Sequence, residues 1–121
     1  MRINKMLNFK TSQGGYQMYE ENFIQAIHNK TKIRLTFASK EDGRNLTRLC
    51  APMDFGPSRR AHNKDDRFHL WDYESDEKNH TLSLLPNQIV DMEFLTDNFE
   101  PSEFVTWNTS WFIDRNWGQY S

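Results

Sequence analysis

The segment Lys32-Ile33-Arg34-Leu35-Thr36-Phe37, followed shortly by Glu41-Asp42-Gly43-Arg44, decides the fold. Ile33, Leu35 and Phe37 fall on one face of an extended chain, and Lys32, Arg34 and Thr36 on the other. That period of two is how a strand buries one side. Asp42-Gly43 then sits at the centre of a turn, the strongest short hairpin signal. Beyond it Leu49, Ala51, Met53 and Phe55 alternate again, interrupted by Pro52, which cannot donate to a ladder and so marks an edge or a bulge.

Upstream the period becomes helical. Tyr19, Phe23 and Ile27 recur at i, i+4 and i+8, with Ile24 and Ala26 beside them. Glu20 and Glu21 precede this stripe's centre, and Lys30 and Lys32 follow it, as a helix dipole prefers. The spacing predicts a helix over 18–29. Residues 1–17, polar and carrying Gly14-Gly15, are expected to form a flexible leader.

Downstream, residues 56–66 make a polar, basic loop. Arg67 to Tyr73 reads as a third strand, with Phe68 and Leu70 on one side and His69, Trp71 and Tyr73 on the other. An acidic turn, Glu74 to Asn79, leads to a fourth strand at Thr81–Leu84. Pro86-Asn87 bends the chain into a fifth, Ile89 to Leu95, where Val90, Met92 and Phe94 are expected to share a face. Five short strands at this spacing imply a barrel or sandwich. The chain has 121 residues, 36% apolar and 14% aromatic, and a small core built from large rings suits a thin barrel. Helix and barrel together would occupy residues 18–95.

Residues 96–121 differ. Phe99, Phe104, Trp107, Trp111, Phe112, Trp117 and Tyr120 stand among polar residues without a period. Either this segment wraps the barrel and completes its core, or Trp107, Trp111, Phe112 and Trp117 dock on a protein partner or a second copy.

No run approaches the ~18 apolar residues that span a bilayer, and the N-terminus lacks a signal peptide's apolar stretch. Cys50 stands alone, so no internal disulfide is expected and a reducing cytoplasm is the default. The net charge of −2 conceals a split. Residues 1–67 hold 13 basic and 7 acidic side chains, and residues 68–121 hold 2 and 10. Such asymmetry points to a polyanion-binding surface or a self-complementary contact, unless the halves interleave and cancel.

Chemistry is sparse. His28, His62, His69, His80 and Cys50 show no metal-ligand spacing, so neither a metal nor a cofactor is expected. No nucleophile motif or phosphate loop occurs, and the chain is expected not to be an enzyme. The basic residues carry more information. Arg34 and Arg48 fall on adjacent strands, and Arg59, Arg60, Lys64 and Arg67 cluster in and after the basic loop. Guanidinium forks suit phosphate oxygens, and Trp71, Tyr73 or His69 can stack on bases. Arg34, Arg48, Arg59, Arg60, Arg67, His69 and Trp71 are therefore the candidate ligand-binding residues.

From Phe23 to Leu95 the chain resembles the WYL domain family, bacterial ligand-sensing modules built on an Sm/SH3-like barrel. Ala26-Ile27 and Lys32–Phe37 are similar to its opening helix and first strand, and Arg48 with Pro52 to its second. Arg67-Phe68-His69-Leu70 lies where the namesake Trp-Tyr-Leu falls, with His69 in place of the tyrosine. Leu82-Ser83-Leu84 and Ile89 are similar to the closing segment, with Ser83 where that family carries an arginine. Family members commonly follow a DNA-binding domain, for which the residues before the helix are too few, so the resemblance implies a stand-alone form. The expected fold is α+β, mainly β: an N-terminal helix, a five-stranded SH3/Sm-like small barrel and an aromatic-rich C-terminal extension. The expected role is a non-enzymatic sensing module for a nucleotide or single-stranded nucleic acid, involved in transcription regulation. The alternative is a protein-interaction or oligomerisation module using the aromatic tail.

Overall fold

The computed structural model describes residues 12–121, with side chains from Tyr19 onward. The expected leader's first 11 residues lie outside the described residues. Helix α1 runs Ser12–Asn29, beginning earlier than predicted because residues 12–18 carry few apolar side chains to mark the period. Phe23, Ala26 and Ile27 are buried, and Phe23 meets Phe68 edge-on at 5.0 Å. Lys30 ends the helix at φ 56°, a left-handed position disfavoured for a residue with a Cβ. The exposed carbonyls there find donors downstream: Phe99 N–H donates to Lys30 O at 2.9 Å, and Asn98 Nδ2 donates to Asn29 O and Lys30 O.

Five antiparallel strands follow: β1 Thr31–Ser39, β2 Arg44–Pro57, β3 Asp66–Asp72, β4 Thr81–Leu84 and β5 Ile89–Asn98. Their order in the sheet is β4-β3-β2-β1-β5. β4 and β5 are adjacent in sequence yet occupy opposite edges. A flat five-stranded sheet would separate them by roughly 19 Å at ~4.8 Å per strand. The chain from Leu84 to Ile89 spans at most about 17 Å extended, and its 3₁₀ turn at Pro86–Gln88 shortens it further. The sheet therefore curls until its edges approach, giving the small barrel expected from the sequence.

The first hairpin forms as predicted, with Gly43 at φ +65°. Pro52 sits at a register irregularity between β2 and β3, where its missing donor costs no ladder bond. One alternation in β5 differs from expectation. Thr36 pairs with Asp91 and Phe37 with Ile89, so Val90 is the extra residue of a bulge. Ile89 and Met92 face the core and Val90 is 49% exposed. A bulge shifts the parity of side chains on its strand.

The core is Ile33, Leu35, Phe37, Phe68, Leu70, Leu84, Ile89 and Met92 from the sheet, with Phe23 and Ile27 from the helix. Phe99, Phe104, Val105 and Trp117 of the C-terminal segment are buried with them. In β2 the residues Cys50 to Asp54 are buried in unbroken succession. That pattern requires cover on both faces. Cys50 pairs with Ile33 across the inner face, whereas Ala51 pairs with Trp71, on which Phe104 of the C-terminal segment stacks at 5.6 Å.

Candidate functional site

A buried ion pair ties the C-terminal segment to the sheet beside the rings it adds to the core. Asp54 lies on β2, and its two carboxylate oxygens accept the backbone N–H groups of Phe112 (2.9 Å) and Ile113 (3.0 Å). Arg115 Nη2 stands 3.2 Å from Asp54 Oδ1, with the Arg115 side chain fully buried. Arg115 also donates to the carbonyls of Met53 and Ile113, and its guanidinium lies over the rings of Trp111 and Trp117 at 4.2 and 4.4 Å. Burial pulls this guanidinium down to about 10, and Asp54 opposes that pull. A buried charge is tolerated when its donors are met, as here.

Between this anchored segment and the β2–β3 loop lies an open cleft of about 930 Å³. It gathers three of the candidate ligand-binding residues, Arg59, Arg60 and His69, with three of the candidate docking residues, Trp107, Trp111 and Phe112. Two groups expected to act at separate sites thus share one wall. Arg59 donates to Ser110 O at 2.5 Å and holds its guanidinium 4.3 Å over the Phe112 ring. Among the described residues Arg60, which is exposed, makes no side-chain hydrogen bond or ion pair. Lys64 closes the base of the loop through the carbonyls of Ser58 and Arg59.

The rings differ in availability. Phe112 rests on Gly56, where an added Cβ would lie 2.6 Å from its Cδ2, and carries Arg59 over its face. Trp111 is covered by Arg115 and donates its indole N–H to Tyr120 O. Trp107 is 45% exposed, its ring 6.0 Å from that of Trp111 at a steep angle, and Phe112 is 44% exposed.

His69 and Ser83, the two departures from the WYL-type pattern, face each other across β3 and β4. His69 Nδ1 is 2.8 Å from Ser83 Oγ, and Nε2 is 2.9 Å from Gly56 O. A carbonyl only accepts, so Nε2 carries a proton. Both side chains line the cleft.

The remaining candidates lie elsewhere. Arg34 pairs with Glu93 at 3.8 Å on an exposed surface. Arg48 lies 3.9 Å from Asp72 and donates to Glu74 O. Arg67 reaches Ser83 O at 3.5 Å, with its Nε buried and unpartnered among the described residues. Trp71 is stacked against His80 and Phe104, and Trp117 is buried, donating its indole N–H to Ile27 O at 2.9 Å. Arg34 and Arg48 are thus met by acidic residues of the second half, so the charge split partly cancels across the sheet.

Sequence reasoning missed Asp54, Arg115 and Ser83. Asp54 carried a faint signal, an acid interrupting an apolar strand; Arg115, alone among tryptophans, carried another. Among the described residues no group of three His, Cys, Asp or Glu is placed to hold a metal ion, and no helix is long and apolar enough to cross a membrane. Comparison with family models, curated proteins and solved structures found no match to this chain.

Proposed function

We propose that the cleft is a non-enzymatic binding site for a nucleotide-type ligand, with phosphate held by Arg60 and Arg59 and the base stacked on Trp107. The observation that carries it is the pairing of Arg60, whose guanidinium has no hydrogen bond or ion pair among the described residues, with Trp107, an indole 45% exposed in the same cleft. Guanidinium and an uncovered indole recognise the two chemically distinct parts of a nucleotide. The volume suits a ligand of that size. One exposed indole and, among the described residues of the cleft, one guanidinium without an internal bond favour one nucleotide unit over a long strand. On this reading the chain is a regulatory sensing module of the cytoplasm, kin to WYL domains. The stranded barrel order and the Arg48-to-Pro52 spacing support that kinship.

Titration of mononucleotides and a short oligothymidylate, followed by tryptophan fluorescence at low and moderate salt, tests the reading. Binding that weakens with salt is expected, with Arg60→Ala reducing both the affinity and the salt slope. An absence of binding at low salt, where phosphate contacts are strongest, overturns it.

A further inference from the structure

We propose that Ser83 reads the ligand's phosphate in this cleft, and that His69 sets which way the Ser83 hydroxyl points its proton. The inference rests on the ligand reading of the cleft given above. It follows from the fixed tautomer. Because Gly56 O accepts from Nε2, a neutral His69 offers only a bare Nδ1 to Ser83, which must then donate its proton to the ring. The hydroxyl oxygen is left as an acceptor facing the cleft, and an acceptor repels phosphate oxygens. When His69 gains a proton, Nδ1–H donates to Ser83 Oγ and the Nε2–H bond to Gly56 is kept. The Ser83 proton is released from the ring and turns toward the ligand. Protonation thus exchanges an acceptor for a donor and adds a positive charge to the same wall.

The other charged groups around His69 are already committed or carry the same sign. On β2, Asp54, which is paired with His69 in register, is held by Arg115 and by two backbone N–H groups of the C-terminal segment. On β3, Arg67 leans on Ser83 O. From the β2–β3 loop come Arg59 and Arg60, and from β4 and the turn before it the cleft receives only Ser83, Thr81 and Asn79, which are uncharged. Among the described residues lining the cleft, no free carboxylate competes with phosphate for the released hydroxyl.

The test uses the full chain and the thymidine dinucleotide TpT, whose phosphodiester keeps one negative charge over the range examined. Affinity is measured at about pH 8 and about pH 5.5, on either side of the usual histidine range. Binding should tighten about tenfold on acidification, the size of one charge-assisted hydrogen bond gained. His69→Gln should bind with no pH dependence. Ser83→Ala should lose most of it, retaining only the part due to imidazolium charge, whereas Ser83→Thr, which keeps a hydroxyl and suits a strand, should preserve it. Circular dichroism at both pH values confirms that each variant is folded. Binding by the unaltered chain that does not change with pH overturns the inference and leaves the cleft reading standing, as does a Ser83→Ala variant that keeps the whole tenfold change. No TpT binding at either pH overturns both.

Discussion

Arg115 and Asp54 stand 61 residues apart in sequence and 3.2 Å apart in space, and their contact ties the C-terminal segment to β2. Removing either partner strands the other as an uncompensated buried charge. Asp54→Ala also leaves the N–H groups of Phe112 and Ile113 without acceptors. Each single variant should lower the unfolding free energy by about 3–5 kcal/mol, measured by denaturant titration. The double variant should cost less than the sum of the two, because the stranded charge is then absent. Single losses below 1 kcal/mol would show that the pair is ornamental.

Cys50 is fully buried on β2. Burial pushes its thiol far above the usual range; Asp72 and Glu74 push the same way, and Arg48 opposes them. The thiolate is the reactive species, so a thiol reagent at mildly alkaline pH should react with the native chain only as fast as it unfolds. In denaturant the reaction should be immediate. Rapid labelling of the native chain would contradict the burial.

Much of this architecture was legible locally. The β1–β2 hairpin follows from an uninterrupted alternation and an Asp-Gly turn, signals that need no distant partner. The Val90 bulge was not legible, because it depends on how β5 fits a neighbour that curls. The aromatic tail resisted reading for a related reason. Its rings answer to no period of their own; Phe99, Phe104 and Trp117 join the common core, and the anchor is an acid on one strand that meets an arginine 61 residues later. At the cleft, Arg59 and Arg60 were legible from charge clustering, and His69 from its place among the rings of the third strand. Ser83 was not, since a serine on a short strand gains meaning only from the histidine opposite.

Tyr73 gives the alkaline side of stability. Its hydroxyl donates to Glu103 at 2.7 Å, and burial, then that hydrogen bond and the Glu103 charge, raise its ionisation well above the ordinary phenol range. An acid harder to ionise when folded holds its proton longer in the native state than in the unfolded one. Its contribution is whole below the phenol's unfolded value and is lost as pH rises toward the folded one. Melting temperatures should therefore fall as pH rises past about 10, and Tyr73→Phe should flatten that fall. An unchanged slope in the variant would assign the effect to other groups. Tyr73 is partly exposed, so the effect is modest.

At Gly56 the sheet leaves room for the tail by lacking a side chain. A Cβ there would lie 2.6 Å from Phe112 Cδ2 and 2.7 Å from Cγ, and the Phe112 backbone is held by Asp54. Gly56→Ala should cost about 1–3 kcal/mol by overpacking. The same substitution in a Phe112→Ala background should cost much less, because the ring it strikes is gone. Equal costs in the two backgrounds would place the strain elsewhere, in β2 itself.

The last prediction concerns whether the tail belongs to this domain or to a partner. Phe104, Val105 and Trp117 are buried in the common core, and the Trp117 indole N–H caps a carbonyl at the end of α1. Burial of a large apolar side chain stabilises by about 1.5–3 kcal/mol, so losing these three removes roughly 6 kcal/mol before any hydrogen bond is counted. Domains hold only about 5–15 kcal/mol in total. Deleting residues 104–121 should therefore abolish cooperative unfolding and sharp amide dispersion. Trp107→Ala supplies the contrast. That ring is 45% exposed and lies outside the buried core, so its removal should change stability by less than about 1 kcal/mol and weaken nucleotide binding. A folded, monomeric remainder after the deletion would mean that the tail's rings serve a partner, and the cleft they form here would lose its standing as a site of this chain.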